Sequence, residues 1–160
     1  MTELLDVVDE QNNIVGVALE KDIYEQRLNH RIVHVILLND KGELCLQQLS
    51  AHVKYCPGHW TSSATGTVKQ GEKYDDAAKR ILTEQLGIYA QPIKLTETPY
   101  DHYKMRKFMN IYRALDNGPI KFSNKSLVTR WFSIPDIKDM VQKNQLIHPE
   151  LAHVMDVLYK

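Results

Sequence analysis

The stretch from Gly66 to Ile88, GTVKQGEKYDDAAKRILTEQLGI, constrains this chain more than any other. From Lys73 to Leu86 it carries a helical pattern. Ala78, Leu82 and Leu86 recur at four-residue steps and form a core-facing stripe, and Ala77 is small enough for close packing. Gly87 stops the helix as a left-handed cap. Positions 81, 84 and 85 are spaced to project from one neighbourhood of such a helix. Three carboxylates there would make a hard-oxygen site suited to magnesium or manganese. The chain instead offers Ile81, Glu84 and Gln85, so one carboxylate is left to offset the desolvation cost of a cation.

The flanking sequence alternates strands and helices. LLDVVDE and NIVGVALE surround the turn-prone Gln11-Asn12-Asn13 and predict an N-terminal hairpin, with a short helix over 20–28. HRIVHVILLND and ELCLQQL flank Asp40-Lys41-Gly42 and read as central strands joined by a hairpin. WTSSATGTV is β-rich, and two strands are expected within 89–115. Asn117-Gly118-Pro119 turns into a shorter strand, and VTRWFS is a last strand. Pro135 opens a helix at its first turn. HPELAHVMDVLYK places Leu151, Val154, Met155 and Leu158 on one face, so this last helix should be docked.

With Gly66, Glu72, Arg80, Glu84, Gly87 and Ile88 in place, the spacing resembles the Nudix box, G-x5-E-x7-R-E-U-x-E-E-x-G-U, where U is aliphatic. The resemblance implies an α/β fold, a Nudix-type α/β/α sandwich with a mixed sheet. The Nudix domain would span 29–160, and residues 1–28 would form a hairpin and short helix packed on it. It also implies a small-molecule diphosphate as ligand, held against Mg2+ or Mn2+ by the helical carboxylates. Ile81 and Gln85 replace two of those glutamates, which leaves Glu84 as the candidate metal-binding and catalytic residue and the metal weakly held or absent. Gly66, Glu72, Arg80 and Gly87 are read as scaffold, with Glu72 and Arg80 bridging loop and helix as an ion pair. Glu84 itself stays open between residual ligand and solvated helix charge.

The likeness extends to the Nudix subgroup related to isopentenyl-diphosphate isomerase, through HRIVHVILLNDKGELCLQQLS, PGHWTSSATGTVKQGE and TRWFS. In that enzyme the segment after the tryptophan carries a catalytic cysteine and a metal-binding histidine. Thr65 and Thr67 stand at those positions here. A threonine hydroxyl replaces neither a thiol in proton transfer nor an imidazole as ligand. A further family carboxylate before the last strand is also missing, since that stretch is SNKSLVT, with Lys125 and no acid. Asp75, Asp76, Asp101 and His102 are the substitutes to consider.

Other residues carry weaker signals. Lys104, Arg106 and Lys107, with Lys54 and Lys69, are candidates to meet phosphate oxygens. Tyr100, Tyr103 and Tyr112 are candidates to stack on a base, against the commoner role of strand aromatics in a core. Cys45 reads as a buried inert thiol and Cys56 as an exposed one in a turn. The seven histidines read as structural or exposed. The 160 residues fit one domain, and 20 basic residues balance 20 acidic ones, so nothing global attracts nucleic acid or an anionic membrane. No apolar stretch reaches membrane-spanning length, and the acidic start lacks a basic region followed by an apolar run. A cytoplasmic address is expected. Two functional readings stand: a diphosphate hydrolase with a depleted metal site, or a catalytically silent Nudix-fold binding protein.

Overall fold

The computed structural model describes residues 3–120 and 128–160. Strands β1 (Leu4–Val8) and β2 (Ile14–Leu19) form an antiparallel hairpin of their own, followed by α1 (Glu20–Gln26). The turn closes because the Asp9 carboxylate accepts from the backbone N–H groups of Gln11 and Asn13, at 2.8 and 2.9 Å. Asn12 takes the left-handed conformation that its short polar side chain tolerates. Leu5 and Ile23, fully buried, meet Met105 in a small core that attaches this unit to the sheet.

The main sheet has the order β5-β4-β3-β8-β7, comprising β3 (His30–Leu38), β4 (Leu44–Gln48), β5 (Trp60–Thr61), β7 (Ile93–His102) and β8 (Met105–Leu115). Strand β6 (Ala64–Thr67) adds to β3, and β9 (Val128–Phe132) adds to β4. The β3–β8 pair is parallel and the other pairs are antiparallel, so the sheet is mixed as expected. Ser62 and Ser63 interrupt the stretch that read as continuously β-rich. The Ser63 hydroxyl donates to the Cys45 carbonyl and accepts from the Leu37 N–H at 2.8 Å, so it replaces ladder bonds where β5 gives way to β6.

Strand β3 is buried on both faces, and its alternate residues enter two cores. Val33, Val35 and Leu37 pack with α2 (Tyr74–Leu86) through Ala77, Ala78, Leu82 and Leu86. Ile32 and Ile36 pack on the opposite face with Ile137 of α3 (Ile134–Gln142) and with Leu151, Val154 and Met155 of α4 (Pro149–Leu158). Helices on both faces give the α/β/α sandwich. Gly87 caps α2 at φ 68°, and Pro135 lies in the first turn of α3. The segment expected to follow Pro119, and SNKS with Lys125, lie outside the described residues from 121 to 127.

The three box positions do not converge. Ile81 is 1% exposed and belongs to the core under α2, whereas the Glu84 side chain is 58% exposed. The sequence places the three on one side of the helix, but Ile81 packs into the core beside Gly66 of β6 while Glu84 faces solvent. A Cβ on Gly66 would stand 2.9 Å from Ile81 Cδ1, so glycine permits helix and strand to approach this closely. Ile81→Glu would therefore bury a carboxyl without a partner. It should destabilise the fold by about 3 kcal/mol or more in urea denaturation; a loss below about 1 kcal/mol would show that position 81 can turn to solvent.

Candidate functional site

The polar side of α2 is held by Arg80, Glu72 and Gln85. Arg80 donates to both Glu72 oxygens, from Nε at 2.8 Å and from Nη2 at 3.0 Å, and Nη2 also reaches the Thr67 carbonyl at 3.0 Å. Glu72 accepts in addition from the Lys69 N–H at 3.0 Å. Burial pushes the Glu72 carboxyl up, but these bonds and the nearby positive charges outweigh it and hold it below its ordinary value. The expected ion pair is present, and it closes the loop between β6 and α2.

Gln85 explains why a glutamate is missing there. Its Oε1 accepts from the Thr65 N–H at 3.1 Å and from Gln47 Nε2 at 3.0 Å, while its Nε2 donates to the Thr65 carbonyl at 2.8 Å. The amide thus pairs with Thr65 as a neighbouring strand would. A carboxylate has no hydrogen to give and would set an anionic oxygen against the Thr65 carbonyl. Thr65 is committed further, its hydroxyl donating to the Val33 carbonyl at 3.0 Å. Glu84 remains, its one polar contact among the described residues being Arg80 Nη1 at 3.4 Å.

A divalent cation does not fit this donor set: one exposed carboxylate, one amide with both ends engaged and one core isoleucine. Among the described residues no group of three or more His, Cys, Asp or Glu side chains is arranged to hold a metal. The candidate substitutes are occupied or dispersed. Asp75 accepts from the Tyr112 hydroxyl at 2.6 Å, and Asp101 takes Arg106 in a two-pronged bond at 2.6 and 3.0 Å. Asp76 is exposed on α2, and His102 lies against Tyr55 and Tyr103.

The candidate phosphate cations and stacking tyrosines are scattered too. Lys107 is buried on Glu150, Arg106 faces Asp101 on the opposite side of β8, and Lys69 pairs with Glu3. Tyr112 is in the core, Tyr103 is exposed beneath Arg27, and Tyr100 packs on His102 and His153. Cys45 is buried and its thiol is pushed up to about 11, chiefly by burial. Cys56 is half-buried, and burial raises its thiol too, which disfavours the thiolate.

The sequence reading missed a buried polar network on the α4 face. His34 Nδ1 meets the Ser62 hydroxyl at 2.7 Å and His34 Nε2 meets Glu150 Oε1 at 2.9 Å. Lys107 Nζ donates to Glu150 Oε2 at 2.7 Å. His148, the N-cap of α4, accepts from the Glu150 N–H through Nδ1 at 3.0 Å. His30 donates from Nδ1 to the Leu28 carbonyl at 3.1 Å, and its buried Nε2 has no partner among the described residues. The one available signal was polar residues at 30 and 34 on the inward side of an otherwise apolar strand. Their partner, Glu150, lies 116 residues beyond His34.

This network sets the response to acid. Burial above all holds His30 and His148 down to about 4. The unfolded chain takes up those protons near 6.5 and the folded chain only near 4, so stability falls as pH drops through that interval. Burial opposes ionisation of Glu150, yet His34 and Lys107 outweigh it and keep the carboxyl well below the usual range. Its contribution is present above about 4.5 and lost as pH falls further. Glu150→Gln leaves Lys107 buried without a counter-charge and should cost about 3 kcal/mol or more at pH 7, a gap that narrows below pH 4.5; urea denaturation across pH checks both. Gln85→Leu should cost about 1–3 kcal/mol in the same assay, because it strands both polar groups of Thr65.

Residues 28–154 match the NUDIX domain family model. A Nudix hydrolase of Nostoc sp. without assigned activity is 29% identical over 98% of this chain and 96% of its own length. An isopentenyl-diphosphate Delta-isomerase of Photorhabdus laumondii is 33% identical over 88% of this chain and 83% of its own. Among solved structures, a Deinococcus radiodurans protein superposes with a TM-score of 0.83 at 22% identity, covering 99% of this chain and all of that one. Together with the α/β/α sandwich and the box in its strand–loop–helix setting, these matches establish that the chain belongs to the NUDIX domain family.

Proposed function

We propose that this protein binds a diphosphate-containing small molecule and that the box no longer supports metal-dependent hydrolysis at the usual level. The observation that carries the second part is the commitment of Ile81 and Gln85 to the joint between α2 and β6. Family membership supports the ligand class, since Nudix hydrolases use divalent ions on such compounds and one similar protein is named for an isoprenoid diphosphate. Isomerisation is not supported. Thr65 and Thr67 offer no thiol or imidazole, and the Thr65 hydroxyl is already bound to a carbonyl.

A second reading rests on one observation. Glu84 is exposed and weakly held, so its carboxylate is free to share a cation that arrives with a bound diphosphate. A panel of nucleotide, nucleotide-sugar and isoprenoid diphosphates, assayed with magnesium or manganese, separates the two readings when the Glu84→Gln protein serves as the blank. The binding reading expects a panel compound to raise the melting temperature while turnover stays at the level of the blank. Metal-dependent turnover abolished by Glu84→Gln would establish a reduced-ligand hydrolase instead.

A further inference from the structure

The N-terminal hairpin has one closed side and one open side. Strand β1 is closed by the loop before α2: the Gln70 N–H donates to the Leu4 carbonyl at 2.9 Å, and Leu5 bridges to Lys69. Strand β2 pairs with β1 alone among the described residues. The Glu20 N–H donates to the Glu3 carbonyl at 3.0 Å, and bonded and non-bonded pairs alternate along an antiparallel ladder. Counted from that bond, the main-chain groups of Val17 turn away from β1.

The open edge is also apolar. Ile14-Val15-Gly16-Val17-Ala18 carries neither a charge nor a proline. Leu4, Ile14, Val15 and Val17 are each 44–63% exposed. Exposed edges are templates for a further strand, and proteins blunt them with charges, prolines and bulges. Strand β7, an edge of the main sheet, carries all three: the Lys94–Glu97 ion pair, an irregularity between Lys94 and Thr96, and Pro99. In β2 the one such device is the bulge that leaves Val15 unpaired between Ile14 and Gly16, and Val15 is the most exposed of the four side chains. Gly16 adjoins that bulge without a positive φ, and a Cβ there would meet nothing within 4 Å. Packing inside the protomer therefore does not call for glycine, whereas a second backbone approaching the strand does.

The edge is complementary to itself. Antiparallel pairing about a two-fold axis at Gly16 sets Val15 opposite the partner's Val17 and Glu20 opposite the partner's Asn12, so no like charges face each other. We infer that β2 pairs with β2 of a second copy of this chain, joining the two hairpins into one four-stranded antiparallel sheet. The Val17 N–H then donates to the partner's Val15 carbonyl. One short strand edge and four side chains make a patch smaller than the roughly 800 Å² per partner of standard interfaces, so the dimer is reversible and grows with concentration.

Sedimentation velocity from micromolar to millimolar protein should show the mass rising from 18.5 kDa towards twice that value. Val17→Lys changes an exposed side chain and should weaken association at least tenfold, while Ile93→Lys, an exposed change on the β7 edge, should leave it unaltered. Hydrogen exchange needs no substitution: the Val17 amide should exchange at least tenfold more slowly in concentrated than in dilute protein. A chain that stays monomeric at millimolar concentration overturns the proposal. So does a dimer that survives Val17→Lys or is lost equally with Ile93→Lys, because another surface would then join the copies. Exchange at Val17 that does not depend on concentration overturns it even if Val17→Lys fails to fold.

Discussion

The close contact between α2 and β6 governs what the box can do in this protein. Gly66 lacks a side chain, Ile81 fills the space above it, and Gln85 hydrogen-bonds both backbone groups of Thr65. Arg80 and Glu72 then close the intervening loop onto the Thr67 carbonyl. Ile81 and Gln85 thus spend on packing and backbone pairing the two positions at which a magnesium site would need carboxylates. The family's strand–loop–helix is retained while its helical carboxylates have become an aliphatic core residue and a backbone-pairing amide. Restoring the acids one by one would remove the helix from its seat before building a site.

The opposite face of the sheet shows the same economy with charge. Glu150 at the start of α4 gathers His34 from β3 and Lys107 from β8, so three elements meet at one buried carboxylate. Such a network adds little net stability over an apolar equivalent, but removing one member is costly because the rest stay buried. It therefore fixes where α4 sits on the sheet. His148 contributes as a neutral cap, which agrees with its resistance to protonation.

Much of this was legible in the sequence because local patterns carried it. The Asp40-Lys41-Gly42 turn between β3 and β4, the four-residue stripe of α2, Gly87 and Pro135 each act within a few residues, and the structure follows them. The box spacing gave the fold through resemblance, including the Glu72–Arg80 pair. Contacts between segments far apart were not legible. Gln47 with Gln85, Tyr112 with Asp75, and His34 with Glu150 are joined only when the sheet brings them together. For the same reason the cations and tyrosines, which read as one group along the chain, divide between the two faces: successive residues on a strand point oppositely.

Manganese titration followed by amide signal loss in 15N spectra tests whether the box has become a structural joint, since a paramagnetic ion reports its position whether or not any chemistry follows. A structural joint gives no selective broadening around Glu84 and Gln85 at sub-millimolar manganese, only weak and dispersed effects at exposed acids. Saturable broadening centred on Glu84, with the Gln85–Thr65 hydrogen bonds intact, would show that one carboxylate suffices for a specific site and would contradict the conversion of the box into a structural joint.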